Sequence, residues 1–285
     1  MHVLITGAAG KTGKAIIRSL SGNKLRISAL VHKRESAKDL ESMGVDDIVI
    51  GDLLDSSLML NTLRGVDVLY LIVSNMNPQE KEICSGIVDL CRTVNVNRII
   101  YHSVLHPQVS SMPHHWQKMQ VEELLFASSL DFTILQPTAY MQNILGYRNA
   151  IDSGIYPMPY SIHSNISLVD LQDVSEIAAK VIIESGHSKA TYELVGTPLL
   201  SQTDVAEALS HHLNKDVVAI ETPIYEWENS VSTGNMGNYT KNALKSMFKY
   251  YSSYGLSGND QVLTWLLKRK PTTLEQFLKR DYIIT

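Results

Sequence analysis

Cysteine is close to absent from this chain: Cys84 and Cys91 are the only two in 285 residues. Both fall on one predicted helix, two turns and about 10 Å apart, too far for a disulfide. A disulfide-stapled scaffold is excluded, and a reducing cytoplasm is the expected setting. Apolar runs stop well short of the roughly 20 residues a membrane helix needs. No basic segment followed by an apolar stretch precedes the first strand signal at residue 2, so neither a secretory leader nor a membrane partner is expected. Positive charge shows no excess. The 25 Lys and Arg face 29 Asp and Glu, for a formal net charge of −4, which argues against a broad surface for direct nucleic acid contact. Internal repeats, charge blocks and low-complexity tracts are also missing. What remains is an ordinary globular composition, 44% hydrophobic and 19% charged, enough for one large domain with a smaller lobe.

Strand and helix signals alternate through the first half. Strands are predicted over 2–6, 26–31, 47–52, 67–74, 98–104 and 131–137. Helices are predicted after Gly13 and over 36–42, 57–63, 79–94 and 114–128. Several of the strands are continuous apolar runs, as expected when both faces of a parallel sheet are covered. The alternation implies right-handed βαβ units, hence an α/β fold with a Rossmann-type doubly wound parallel sheet. Beyond Tyr140 the rhythm loosens. Residues 154–165 read as loop, a helix is expected from about Asp173, a strand over 191–196, and a helix capped by Ser201, with Asp204 in the capping-box position. Residues 228–239 read as a mobile loop. The predicted organisation is a dinucleotide-binding domain over 1–150 and a smaller C-terminal α/β lobe over 151–285 for substrate or lid, partly interwoven with the first.

The strongest motif is HVLITGAAGKTGKAIIRSL. A β-run ends at Thr6, and Gly7, Gly10 and Gly13 follow at three-residue spacing before a helix. Gly7 permits the turn off the strand. Gly10 lets the main chain approach a pyrophosphate, and Gly13 allows helix to pack closely on strand. Free N–H groups at the helix start, with the helix dipole, then bind the anion. Ala8 and Ala9 complete the loop, and Lys11 and Thr12 add a cation and a hydroxyl. About 20 residues on, where an acidic side chain would hold an adenosine ribose, the chain reads His32, Lys33, Arg34. These groups suit a 2′-phosphate and favour NADP, with NAD as the alternative.

GAAGKTG (7–13), GDLLDSSLMLNTLRGVDVLYLIVS (51–74), HHWQKMQVEELL (114–125), LDFTILQPTAYMQNIL (130–145) and VLTWLLKRKPTTLEQFLKR (262–280) together resemble the NmrA-like branch of the atypical short-chain dehydrogenase/reductases. The resemblance implies either an NADPH-dependent reductase of quinones, dyes or benzylic ethers, or a regulator that binds the dinucleotide without turnover. It implies that Asp52 and Leu53 line the adenine pocket and that Ser74 and Asn75 run beside the nicotinamide ribose. Lys118 would hold that ribose, with Pro137, Thr138 and Tyr140 near the nicotinamide and Asn143 on the pocket wall. The family often carries Arg directly after the second strand; here that position is His32.

Lys118 poses the sharpest question. Related folds place a tyrosine four residues before such a lysine, whose charge lowers the phenol's pKa; here the position is His114. Three readings stand open for Lys118: a ribose ligand, a proton donor or base, and a solvated surface lysine. His114 could titrate near working pH, yet a neighbouring cation would keep it neutral. Ser103 stands at the end of the fifth strand, where a catalytic serine is usual. His115 and Trp116, with Tyr140 and Asn143, are the candidate acceptor contacts. His102, His106, His114 and His115 cluster in sequence, but His114 and His115 diverge by about 100° on a helix and no carboxylate or thiolate completes a set, so no metal is expected. The leading function is an NAD(P)H-dependent reductase of a small apolar acceptor such as a quinone. The alternative is a redox-sensing regulator working through a protein partner or a homodimer. A sugar-nucleotide epimerase would want the missing tyrosine.

Overall fold

The computed structural model describes residues 1–232 and 236–283. Its first half runs β1 (His2–Ile5), α1 (Lys11–Leu20), β2 (Arg26–Val31), α2 (Lys38–Glu41), β3 (Asp47–Ile50), α3 (Ser56–Leu63), β4 (Val68–Leu71), α4 (Glu80–Val94), β5 (Arg98–His102), α5 (Pro113–Ala127) and β6 (Asp131–Pro137). There follow β7 (Ala139–Tyr140), α6 (Arg148–Ile151), β8 (Ile155–Met158), β9 (Leu168–Val169), α7 (Leu171–Ile183), β10 (Ala190–Leu194), α8 (Gln202–Leu213), β11 (Val218–Glu221), α9 (Ile224–Ser232), α10 (Asn238–Tyr254), α11 (Gln261–Leu267) and α12 (Leu274–Asp281). The chain divides into two compact units. One comprises Met1–Gln108, His114–Gln136 and Ser175–Tyr192, and the other Val109–Pro113, Pro137–Val174 and Glu193–Thr285.

The first unit is built on a seven-stranded sheet in the order β10-β6-β5-β4-β1-β2-β3. Every pairing from β3 to β6 is parallel. The chain moves outward from β1 to β3, then restarts at β4 on the other side of β1, so the order reverses between β1 and β4. Open α/β sheets bind ligands at the C-terminal ends of strands beside such a reversal. The apolar runs explain the sheet. All four residues of β4 are buried, and Leu69, Leu71, Ile99 and Phe132 of the strands share one core with Ile87 of α4 and Leu125 of α5. Each such side chain contributes roughly 1.5–3 kcal/mol on burial.

Two local outcomes differ from the sequence expectation. β4 ends at Leu71, three residues early, because the Thr6 hydroxyl accepts from the Ile72 N–H and donates to the Ile72 carbonyl, both at 2.8 Å. α1 begins at Lys11, not after Gly13, because extended Gly10 serves as its N-cap.

In the second unit β8 pairs with β11 in parallel, although 154–165 was expected to be loop. Pro157 lacks the N–H of an interior strand, but β8 has a neighbour on one side only and tolerates it. β7 pairs with β9. Ser201 and Asp204 form the expected capping box on α8. Residues 228–232 and 238–239, also expected as loop, are helical in α9 and α10; the centre of that segment, 233–235, lies outside the described residues. Two fully buried carboxylates anchor the C-terminal region. Asp173 meets Arg269 at 2.8 Å and accepts from the Thr272 N–H at 2.6 Å, and Asp170 meets Arg280 at 2.7 Å. No described helix is long and apolar enough to cross a membrane.

Candidate functional site

The glycine loop sits at the C-terminal end of β1, at the reversal of strand order. Gly7 has φ +58°, and a β-carbon there would lie 3.0 Å from the Ile72 side chain, so both backbone and space demand glycine. The Gly10 N–H donates to the Gly7 carbonyl at 3.0 Å and closes the turn. A β-carbon on Gly13 would stand 2.6 Å from both Gly7 O and Ala8 Cα, so the first turn of α1 rests directly on the loop. No side chain caps α1. The N–H groups of Lys11, Thr12 and Gly13 therefore lack intrahelical partners, and the dipole adds partial positive charge. Loop and helix start fit a pyrophosphate.

At the end of β2, His32, Lys33 and Arg34 are exposed. His32 Nδ1 lies 3.8 Å from Asp52 Oδ2, and the other Asp52 oxygen accepts from the Leu54 N–H at 2.9 Å. That aspartate thus faces the basic corner from the end of β3, while Leu53 packs on the core. Ser74 and Asn75 are exposed just past β4.

The deepest feature is the surroundings of Lys118. Its residue is 6% exposed, which removes the surface-lysine reading. Its Nζ lies 2.7 Å from Glu80 Oε1 and 3.2 Å from the His102 carbonyl, and 5.3 Å from the centre of the Tyr101 ring. Tyr101 donates its hydroxyl to the same Glu80 oxygen at 2.8 Å. Burial and the carboxylate together hold the Tyr101 phenol well above its ordinary range. An ammonium has three donors; two are engaged here and one is left for a ligand.

Around this pair stand neutral imidazoles. His102 shares a 2.8 Å hydrogen bond with the Tyr70 hydroxyl, and burial, aided by Lys118, depresses its pKa to about 3. His114, one turn ahead of Lys118, is pushed to about 3 by burial, His115 and Lys118. It is therefore a neutral imidazole, not an imidazolium, at neutral pH. His115 is lowered to about 4, chiefly by burial. Its Nδ1 lies 3.1 Å from the His106 carbonyl and must be the protonated nitrogen, since a carbonyl only accepts. Trp116 is 43% exposed.

One turn beyond Lys118, Glu122 accepts from the Ser103 hydroxyl and, on both oxygens at 2.9 Å, from the Gln136 amide. Burial raises this carboxyl. Ser103 is thus tied to a carboxylate. Pro137, Thr138, Tyr140 and Asn143 fall in the second unit. There Thr138 donates its hydroxyl to the Ser167 carbonyl at 2.8 Å, Tyr140 is half-buried in β7, and Asn143 is exposed. Among the described residues no group of three or more His, Cys, Asp or Glu side chains is arranged to hold a metal ion.

Sequence reasoning passed over Glu80, yet a signal was present. Glu80 continues the stripe of Ile83, Cys84, Ile87 and Cys91 on α4, all buried. A carboxylate in line with an apolar stripe marks a buried charge needing a partner.

A model of the NmrA-like family matches residues 1–278. The NAD(P)H azoreductase of Xenophilus azovorans is 25% identical over 97% of this chain and 96% of its own length. Quinone oxidoreductase 2 of Escherichia coli is 25% identical over 96% of either chain. The solved structure of the Escherichia coli NADPH-dependent quinone oxidoreductase with NADPH superposes at a TM-score of 0.86 and 24% identity, covering 99% of this chain and 100% of that one, a likeness of fold.

Proposed function

The chain belongs to the NmrA-like family, and from that premise we propose that it is an NADPH-dependent reductase of a small apolar acceptor such as a quinone. The observation that carries this reading is Lys118, a buried ammonium with one donor left over at the C-terminal edge of the sheet that also bears the uncapped glycine loop. Similarity to an azoreductase and a quinone oxidoreductase supports it.

In this reading the loop Gly7–Gly13 binds the pyrophosphate through its free amides, and Lys33 and Arg34, with His32, meet the 2′-phosphate. Asp52 and Leu53 line the adenine site, and Ser74, Asn75 and Lys118 hold the nicotinamide ribose. The nicotinamide when bound supplies a hydride. A quinone that accepts a hydride needs one proton to become the hydroquinone. Lys118 is the group here that can supply it, by way of the ribose hydroxyl that its one free N–H meets, because His114 is neutral and the Tyr101 hydroxyl is engaged by Glu80. Trp116 contacts the acceptor, and His115 holds the turn before α5 through His106. The reading includes a cytoplasmic setting, supported by two buried, unpaired cysteines.

The test is a panel of quinones and azo dyes assayed with NADPH and NADH. Turnover of one class with NADPH preferred is expected. Tight dinucleotide binding with no turnover across the panel would replace the reductase by a redox-sensing regulator acting through a protein partner.

A further inference from the structure

We propose that Glu80 is a positioning residue whose buried carboxylate fixes the Lys118 ammonium for its contact with the dinucleotide ribose. This inference rests on the reading of the site given above. The Glu80 side chain is 0% exposed and the Lys118 side chain 8%. Removing two such charges from water is unfavourable, and an apolar pair of similar volume would often be at least as stable. The carboxylate is used unevenly: Oε1 takes both the ammonium and the Tyr101 hydroxyl, while Oε2 is buried and meets no hydrogen-bond partner among the described residues.

The same geometry does hold a flexible side chain still. Lysine has four rotatable carbons and three donors. Glu80 at the start of α4, the His102 carbonyl at the end of β5 and the Tyr101 ring restrain the ammonium from three directions. Its remaining N–H is thereby confined to one orientation. Preorganising a donor lowers the entropy lost when a ligand hydroxyl is bound.

The experiment is a double-mutant cycle on NADPH affinity, read by calorimetry, with Glu80→Gln, Lys118→Met and the pair. Glu80→Gln is expected to weaken binding about tenfold in the wild-type background and by less than about twofold when Lys118 is already methionine. Glu80→Asp, which keeps the charge and shortens the reach, should recover part of the loss. Equal losses in both backgrounds, or no loss in either, would overturn the assignment. Failure of the wild-type protein to bind either dinucleotide would instead overturn the functional reading, and this inference with it. If Glu80→Gln does not fold, the same cycle is run with Tyr101→Phe. A loss of two- to threefold that requires Lys118 is then expected; a loss independent of Lys118, or none, overturns the proposal.

Discussion

His114 lies one helical turn ahead of Lys118 on α5, buried, with its Nδ1 meeting no hydrogen-bond partner among the described residues. The position that would carry a phenol in related folds carries an imidazole that is neutral at working pH. Its neutrality is shared by His102 and His115, and all three make the fold less stable as pH falls.

Each of these histidines has a folded pKa below its ordinary value of 6.5, at about 3, 3 and 4. A depressed folded pKa means stability present above the unfolded value and lost as pH falls toward the folded one. Each group contributes up to about 1.4 kcal/mol per pH unit in that window, about 4 kcal/mol for three. Unfolding free energy from urea titrations should be level above pH 6.5 and fall steeply between pH 6.5 and 4. Glu122 acts in the opposite sense: its raised carboxyl favours the folded state as pH falls through its own range, which flattens the lower end of the curve. Replacing His102 with Gln should reduce the slope by about one third. An unchanged slope would mean that His102 takes up its proton in the folded protein.

Removing one partner of the buried pair should be far worse than removing both. Lys118→Met leaves the Glu80 carboxylate uncompensated at 0% exposure and is expected to destabilise by about 3–5 kcal/mol. Lys118→Met with Glu80→Leu should recover most of that loss, while dinucleotide affinity stays low. Denaturant midpoints of the two variants settle the matter; equal midpoints would contradict the burial argument.

The glycine loop and the strands β1 to β6 were legible because their causes are local. A turn needing φ +58° at Gly7 and a β-carbon-free packing site at Gly13 are written into the residues themselves, as are unbroken apolar runs such as Val68–Leu71. What could not be read depends on distant chain. β4 stops early because of a hydroxyl on Thr6, and β8 exists only because β11 pairs with it. That Lys118 is buried against Glu80, on another helix, likewise depends on distant chain. The apolar stripe on α4 did point to Glu80 as buried, but not to its partner.

Two glycine substitutions separate steric need from helix propensity. Gly13→Ala places a methyl 2.6 Å from backbone atoms of Gly7 and Ala8. It should destabilise by about 1–3 kcal/mol and reduce NADPH affinity at least tenfold, because the first turn of α1 must lift from the loop. Gly86→Ala, inside α4 with open space around it, should instead stabilise by about 0.5–1 kcal/mol and leave affinity unchanged. Thermal melts with and without NADPH read both effects; a tolerated Gly13→Ala would refute the tight helix–loop contact.

Cofactor choice turns on Lys33 and Arg34, which are exposed at the end of β2 and carry no ion pair among the described residues, unlike Lys14, which is held 2.5 Å from Asp39. Free guanidinium and ammonium groups are available to a phosphate without first breaking a bond to a carboxylate. Lys33→Ala and Arg34→Ala should each weaken NADPH binding about five- to twentyfold, and change NADH binding by less than about twofold, since only the former carries the 2′-phosphate. The NADPH affinity of the wild type should also fall with added salt, and this dependence should lessen in each variant. Parallel titrations of both dinucleotides at two ionic strengths decide it. Equal losses for NADPH and NADH would move these two residues away from the 2′-phosphate and leave NAD as the better-supported cofactor.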